Sequence, residues 1–132
     1  LTAIDDWSFQ PPPLFSISAR ESSMNDEQTT ISELKETVEQ FVRERNWQQF
    51  HTPKNISMAL AVEAAELVEH FQWLTVEESW SITEDAEKFL GVSEELADVV
   101  CYSLAMANRL QLDLSAAIEK KMEKNRLKYP AP

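Results

Sequence analysis

The chain has 132 residues, enough for one domain with a core and short for two. It carries 23 acidic against 12 basic residues, a formal charge of −11, and an excess of this sign repels a nucleic-acid backbone, which argues against DNA or RNA polymers as partners. Gly91 is its one glycine, so neither a P-loop nor a dinucleotide-binding glycine fingerprint can be written, and a sheet rich in hairpins is disfavoured.

Residues 1–28 contain Pro11-Pro12-Pro13 and the scattered aromatics Trp7, Phe9 and Phe15. Proline runs continue neither a helix nor a sheet ladder, so this stretch reads as an irregular arm. It lacks a signal peptide's basic start and continuous apolar core, and Met24 is an alternative start. Residues 29–132 read as one all-α domain. The first helix is expected from Ile31 to about Asn46, because Thr30 and Glu33 have capping-box spacing and Ile31, Leu34, Val38, Phe41 and Val42 form an apolar stripe. A short aromatic link follows, and Pro53 marks the start of the second helix, over about Lys54 to Trp73. Ile56 to Leu74 is long enough to cross a bilayer, but Glu63, Glu66 and Glu69 interrupt it, so no membrane partner is expected. Thr75 and Glu78 have the spacing to cap a short turn or helix in the polar connection over 75–84. A third helix is expected from Thr83 or Glu84 to Leu110, with a bend near Gly91, and a fourth from a cap at Asp113 to Lys128. The sum is a four-helix bundle core. Cys101 is the one cysteine, which removes an intrachain disulfide and a thiolate zinc site and fits a reducing compartment such as the cytoplasm.

The chemistry lies in two carboxylate pairs. Glu63 and Glu66 on the second helix, and Glu95 and Asp98 on the third, each have i, i+3 spacing and so share a face. The helices that carry them are unusually apolar: from Leu96 to Leu112 the charged residues are Asp98 and Arg109 alone. An unpaired carboxylate in such a setting is costly. Two readings follow. The pairs converge on one hard cation, with Mg²⁺ the expected metal and Mn²⁺ a substitute, since every ligand is a carboxylate oxygen. Alternatively the chain is a non-catalytic helical oligomer or partner-binding module whose acids pair with Arg109 and the C-terminal lysines.

The last helix gathers Lys120, Lys121, Lys124, Arg126 and Lys128 in an otherwise acidic chain. Its functional reading is phosphate neutralisation opposite the metal, with Lys121 and Asn125 acting together as i, i+4 neighbours. Trp47, Trp73 and Tyr102 are candidates for stacking on a nucleobase, and on helical spacing Trp73 and Tyr102 each continue a carboxylate stripe. His51 and His70 read as structural or exposed residues rather than metal ligands. Arg109 has two equal readings, a phosphate contact or a subunit interface. The third helix is expected to be buried on most sides, with more apolar surface than a small monomer covers, which predicts an oligomer.

These residues together resemble the MazG-like all-α nucleoside triphosphate pyrophosphohydrolases. The motif Glu63-Ala64-Ala65-Glu66 with its continuation to Trp73, and Glu95-Leu96-Ala97-Asp98 with its continuation to Tyr102, match the family's paired acidic motifs. Asn46 to Asn55 and Lys121 to Pro130 are similar to the linker and C-terminal motif of the dCTP pyrophosphatase branch. The resemblance implies Mg²⁺-dependent hydrolysis of (deoxy)nucleoside triphosphates to monophosphate and pyrophosphate, which removes surplus or modified nucleotides from the pool. It implies that Glu63, Glu66, Glu95 and Asp98 bind metal and do the catalysis, and that Trp47, Trp73, Tyr102, Lys121 and Asn125 hold the substrate. His51, Arg109 and Tyr129 complete the candidate set, and a homodimer or homotetramer is implied. Val38 stands where dCTP-type members carry a histidine near the base, so the choice of base stays open.

Overall fold

The computed structural model describes residues 23–132, and all regular structure among them is helical. Most of the expected arm over 1–28, with its proline run and aromatics, lies outside the described residues. Its described end is a hydrogen-bonded turn: Asn25 Oδ1 accepts from the amides of Glu27 and Gln28, both at 3.1 Å.

Five helices follow: α1 (Ile31–Glu44), α2 (Pro53–Glu69), α3 (Val76–Trp80), α4 (Ala86–Arg109) and α5 (Leu114–Lys128), with a 3₁₀ turn over Ser81–Glu84 before α4. Local chemistry sets their starts. Thr30 with Glu33, and Thr75 with Glu78, form complete capping boxes, so the polar connection does contain a short helix. Thr52 caps α2 with Pro53 in its first turn. α4 begins later than Thr83 or Glu84 because Asp85 is its cap, accepting from the amides of both Glu87 and Lys88 at 3.1 Å.

The ends of α1 and α4 share one device. Trp47 N–H donates to Val42 O at 3.0 Å, and Leu112 N–H donates to Ala107 O at 2.9 Å. Each closes a Schellman motif over a residue with positive φ, Asn46 at 54° and Gln111 at 52°. α1 therefore stops at Glu44, short of the expected Asn46.

α4 is the central element. α2 packs along it, and α1 packs toward its C-terminal end. The buried side chains are Val42 of α1, Ile56 of α2, and Leu104, Ala105 and Ala107 of α4. The two alanines let neighbouring backbones come close. Asn108 Nδ2 donates to Lys35 O at 2.9 Å, Lys35 Nζ donates to Leu112 O at 3.0 Å, and Arg109 binds the Glu39 carboxylate. These contacts tie α1 to the end of α4.

Two expectations change. α5 forms as a helix but scarcely touches the other helices of its own chain, so the packed core is built from α1, α2 and α4. Nor is α4 buried on most sides: Leu96 is 51% and Val100 44% exposed. α4 also runs unbroken through Gly91. That glycine serves a lateral contact, since a Cβ there would lie 2.7 Å from His70 Cε1.

Gln111 pays the penalty of a left-handed backbone that glycine does not. Gln111→Gly is expected to raise stability by about 0.5–1 kcal/mol in chemical denaturation, since relief of the αL strain exceeds the added freedom of the unfolded chain.

Candidate active site

Glu63 and Glu66 stand one turn apart on α2, and Glu95 faces them from α4. One carboxylate oxygen from each lies within 4.8 Å of the other two. Like charges this close repel, and only the packing of α2 on α4 holds them together. Burial, then the charges of Glu66 and Asp98, push the Glu63 carboxyl above the ordinary carboxylate range. Glu95 is pushed the same way, by burial first and then by Glu66 and Asp98. Glu95 Oε2 is buried and has no hydrogen-bond partner among the described residues.

Asp98 stands outside this tight triad. Its charge acts on Glu63 and Glu95, but its side chain is one methylene shorter, and it lines the neighbouring cavity. The expected four-carboxylate cage is thus three glutamates flanked by an aspartate.

The ion pairs required by the non-catalytic reading are not formed among the described residues. Arg109 is bound to Glu39, and no lysine of α5 pairs with the triad. A clustered all-oxygen donor set, an orphaned buried oxygen and no ion-paired lysine or arginine among the described residues suit a hard divalent cation, although the His70 imidazole lies near enough to act on Glu95.

Beside the acids lies a cavity of about 290 Å³, walled by Val38 and Phe41 of α1, Trp47 and His51 of the link, and Asp98 and Tyr102 of α4. The aromatic rings are ordered in a row. Trp47 and His51 lie 6.4 Å apart at 25°, and His51 and Tyr102 lie 6.4 Å apart at 29°. Phe41 meets Trp47 edge-on at 5.8 Å. Burial, with Glu63 and Asp98 nearby, pushes the Tyr102 phenol up, so it stays protonated at neutral pH. Asp98 belongs to both the acidic cluster and the cavity wall, and it joins a place for a cation to a place for a flat apolar group.

The other expected residues fare differently. Trp73 does not continue the α2 stripe. The helix ends at Glu69, the amides of Phe71 and Gln72 both turn back to Val68 O, and Trp73 is 87% exposed. Lys121, Asn125 and Tyr129 lie on or just after α5, which this chain does not bring against α2 or α4. Arg109 is paired within the chain with Glu39. Phe41, Cys101 and Ala105 also line the cavity and were not expected there. The spacing of Phe41 from Val38 on the α1 stripe was the available signal for the first.

The fold and site define an all-α protein with a cluster of carboxylates beside an aromatic cavity. The MazG-like family description matches residues 58–132, and the chain belongs to that family. It is similar to dCTP pyrophosphatase 1 of Homo sapiens, 42% identical over 106 residues, which cover 77% of this chain and 60% of that protein. Bos taurus dCTP pyrophosphatase 1 is 40% identical over 105 residues, covering 76% and 60%. The chain therefore spans about 60% of the length of these curated relatives. A solved pyrophosphatase from Archaeoglobus fulgidus superposes with a TM-score of 0.72 at 34% identity, covering 82% of this chain and 99% of that one.

The raised carboxyls set a pH dependence. Glu63 and Glu95 hold protons more tightly folded than unfolded, so over the window just above the ordinary carboxylate range the native state binds more protons. Stability must then fall as pH rises through that window. In EDTA, the contribution of these acids to the melting temperature is expected to decline on going from pH 5 to pH 7, and Glu66→Gln should flatten that decline.

Proposed function

We propose that this chain hydrolyses (deoxy)nucleoside triphosphates between the α and β phosphates, consuming one water and yielding a nucleoside monophosphate and pyrophosphate, with dCTP the first substrate to test. One observation carries the reading: an uncompensated carboxylate triad joined through Asp98 to an aromatic-walled cavity. The relatives called dCTP pyrophosphatase support it. No glycine-rich loop is available to cradle phosphate, so charge neutralisation falls to a cation and to basic side chains.

Glu63, Glu66 and Glu95 would hold Mg²⁺, with Mn²⁺ as a substitute, and Asp98, beside Glu63 and Glu95, would complete the ligand set. When bound, the ion would supply charge neutralisation for the phosphates and make a water more acidic. Trp47 and Tyr102 orient the base and sugar in the cavity, and the exposed Trp73 covers them from the end of α2.

Lys121, Asn125 and Tyr129 act from a second copy of the chain, in a homodimer or homotetramer. Charge complementarity supports this arrangement: α5 carries five cations without a packed partner in its own chain, and the triad carries acids without a cation. Exposed Met58, Val62, Leu96 and Val100 supply apolar surface for such an assembly. The activity clears unwanted nucleotides from a cytoplasmic pool. With a net charge of −11, free nucleotides brought in with a metal ion are better substrates than nucleic-acid polymers.

Pyrophosphate release from a panel of dNTPs and NTPs is expected in Mg²⁺ and abolished by EDTA. Glu66→Gln and Asp98→Asn should each cut turnover at least about 100-fold, a loss larger than outer-shell changes cause at metal sites, while the circular-dichroism melt stays cooperative. Full activity in both variants rules out this assignment of the carboxylates. Trp47→Ala is expected to raise KM by about 5- to 150-fold, the range for losing one base–aromatic stack, with metal binding unchanged. A parallel loss of metal binding would mean that Trp47 supports the core instead.

A further inference from the structure

We propose that His70 is a positioning residue for the acidic cluster: seated against Gly91, its imidazole fixes how closely α2 and α4 approach, and so the spacing of Glu66 from Glu95 on which cation affinity depends. The inference deepens the proposed function and rests on its assignment of the glutamates as metal ligands.

Three observations carry it. First, the one glycine of the chain lies inside α4, where glycine costs helix stability relative to alanine. Its φ is not positive, so the backbone there does not require it. What glycine supplies is room. A Cβ on Gly91 would lie 2.7 Å from His70 Cε1, well inside the roughly 3.5–4.0 Å at which carbon atoms pack. Second, the contact is in register with the cluster. Later residues of α2 face earlier residues of α4: Glu63 lies beside Asp98, Glu66 beside Glu95, and His70 against Gly91. His70 keeps helical dihedrals four residues beyond Glu66, and Gly91 stands four residues before Glu95. Each is one turn along the same face from its glutamate. Third, the core is one-sided. Among the described residues, the buried side chains of α2 and α4 are Ile56, Leu104, Ala105 and Ala107, all on the other side of the cluster.

The buried core therefore fixes the two helices at one end of the acidic cluster, and the ring on Gly91 fixes them at the other. An imidazole is a rigid plate, and a rigid plate against bare backbone sets a separation more sharply than flexible side chains do. That separation matters because the ligands come from both helices. Mg²⁺ accepts oxygens only near 2.0–2.1 Å, roughly, so a small splaying of α2 from α4 acts directly on affinity. Repulsion among the glutamates favours such splaying, and the His70 contact opposes it one turn away.

The test is Mn²⁺ binding to the full chain without nucleotide, read from loss of the free-ion EPR signal, in wild type, Gly91→Ala, His70→Ala and the double variant. Alanine is the better helix former, so Gly91→Ala keeps α4 and places a methyl against the ring. It is expected to weaken Mn²⁺ binding about tenfold, the lower end for changes behind metal ligands, while the circular-dichroism melt stays cooperative. His70→Ala, which removes the spacer, should also weaken binding. Without the ring the added methyl meets nothing, so the double variant should bind Mn²⁺ at least as tightly as His70→Ala alone. Wild-type affinity in folded Gly91→Ala overturns the spacing role, as does an equal loss from Gly91→Ala with and without the ring; either result leaves the carboxylate assignment standing. If Gly91→Ala does not fold, unchanged affinity in His70→Ala overturns the proposal. A folded wild type that binds no Mn²⁺ overturns the metal assignment itself, and this inference with it.

Discussion

The packing of α2 on α4 forces three glutamates together against their mutual repulsion. Glu63, Glu66 and Glu95 come within reach of one another with no lysine or arginine paired to them among the described residues, and one oxygen of Glu95 is buried unpaired. Such an arrangement opposes folding and must be held by other contacts. Ile56 at the start of α2, and Leu104 with its neighbouring alanines on α4, belong to the buried core that keeps these helices in register. His70 over Gly91 adds a close contact at the far end of α2, where a glycine lets an imidazole lie against the helix. Local instability built into a site is what a binding cation can relieve, so the cost in the fold and the capacity to bind have one origin.

α1 completes the site from the other side of α4. The Glu39–Arg109 pair, the Asn108 amide on Lys35 O and buried Val42 fix it at the C-terminal end of α4. The Schellman turn at Asn46 then sends the chain back, so that Trp47 and His51 reach Tyr102. Arg109 is only partly exposed and paired, so it acts as a clamp on the cavity rather than as a free charge. The aromatic row owes its order to this clamp and to a link too short to wander.

What the chain leaves unpaired is as informative as what it packs. α5 is a well-capped helix with Asp113 accepting from Ala116 N–H at 2.9 Å, but it has almost no tertiary contact within its own chain. Isolated helices of this length are marginal in water. Its basic residues and the acidic triad are complementary, and the proposed assembly gives both a partner. The same assembly accounts for an α4 that is apolar in sequence and half-exposed in its own chain.

The sequence by itself determined the all-α class, the caps at Thr30, Thr75 and Asp113, the start of α2 at Pro53, and the pairing of acids by helical turn. Capping and periodicity act within a few residues, so the chain text carries them. It placed the end of α2 too late, at Trp73, because a 100° step assumes a helix that continues, and α2 stops at Glu69. It placed α5 correctly but could not say where the helix packs, because an apolar and basic helix has the same local pattern whether its partner lies in its own chain or elsewhere. Only the tertiary structure decided that Asp98 flanks the glutamate triad, that Glu39 takes Arg109, and that His51 lies between two aromatic rings with an unsatisfied nitrogen. Those distances depend on how helices cross and in what register, and periodicity along one helix contains no information about either.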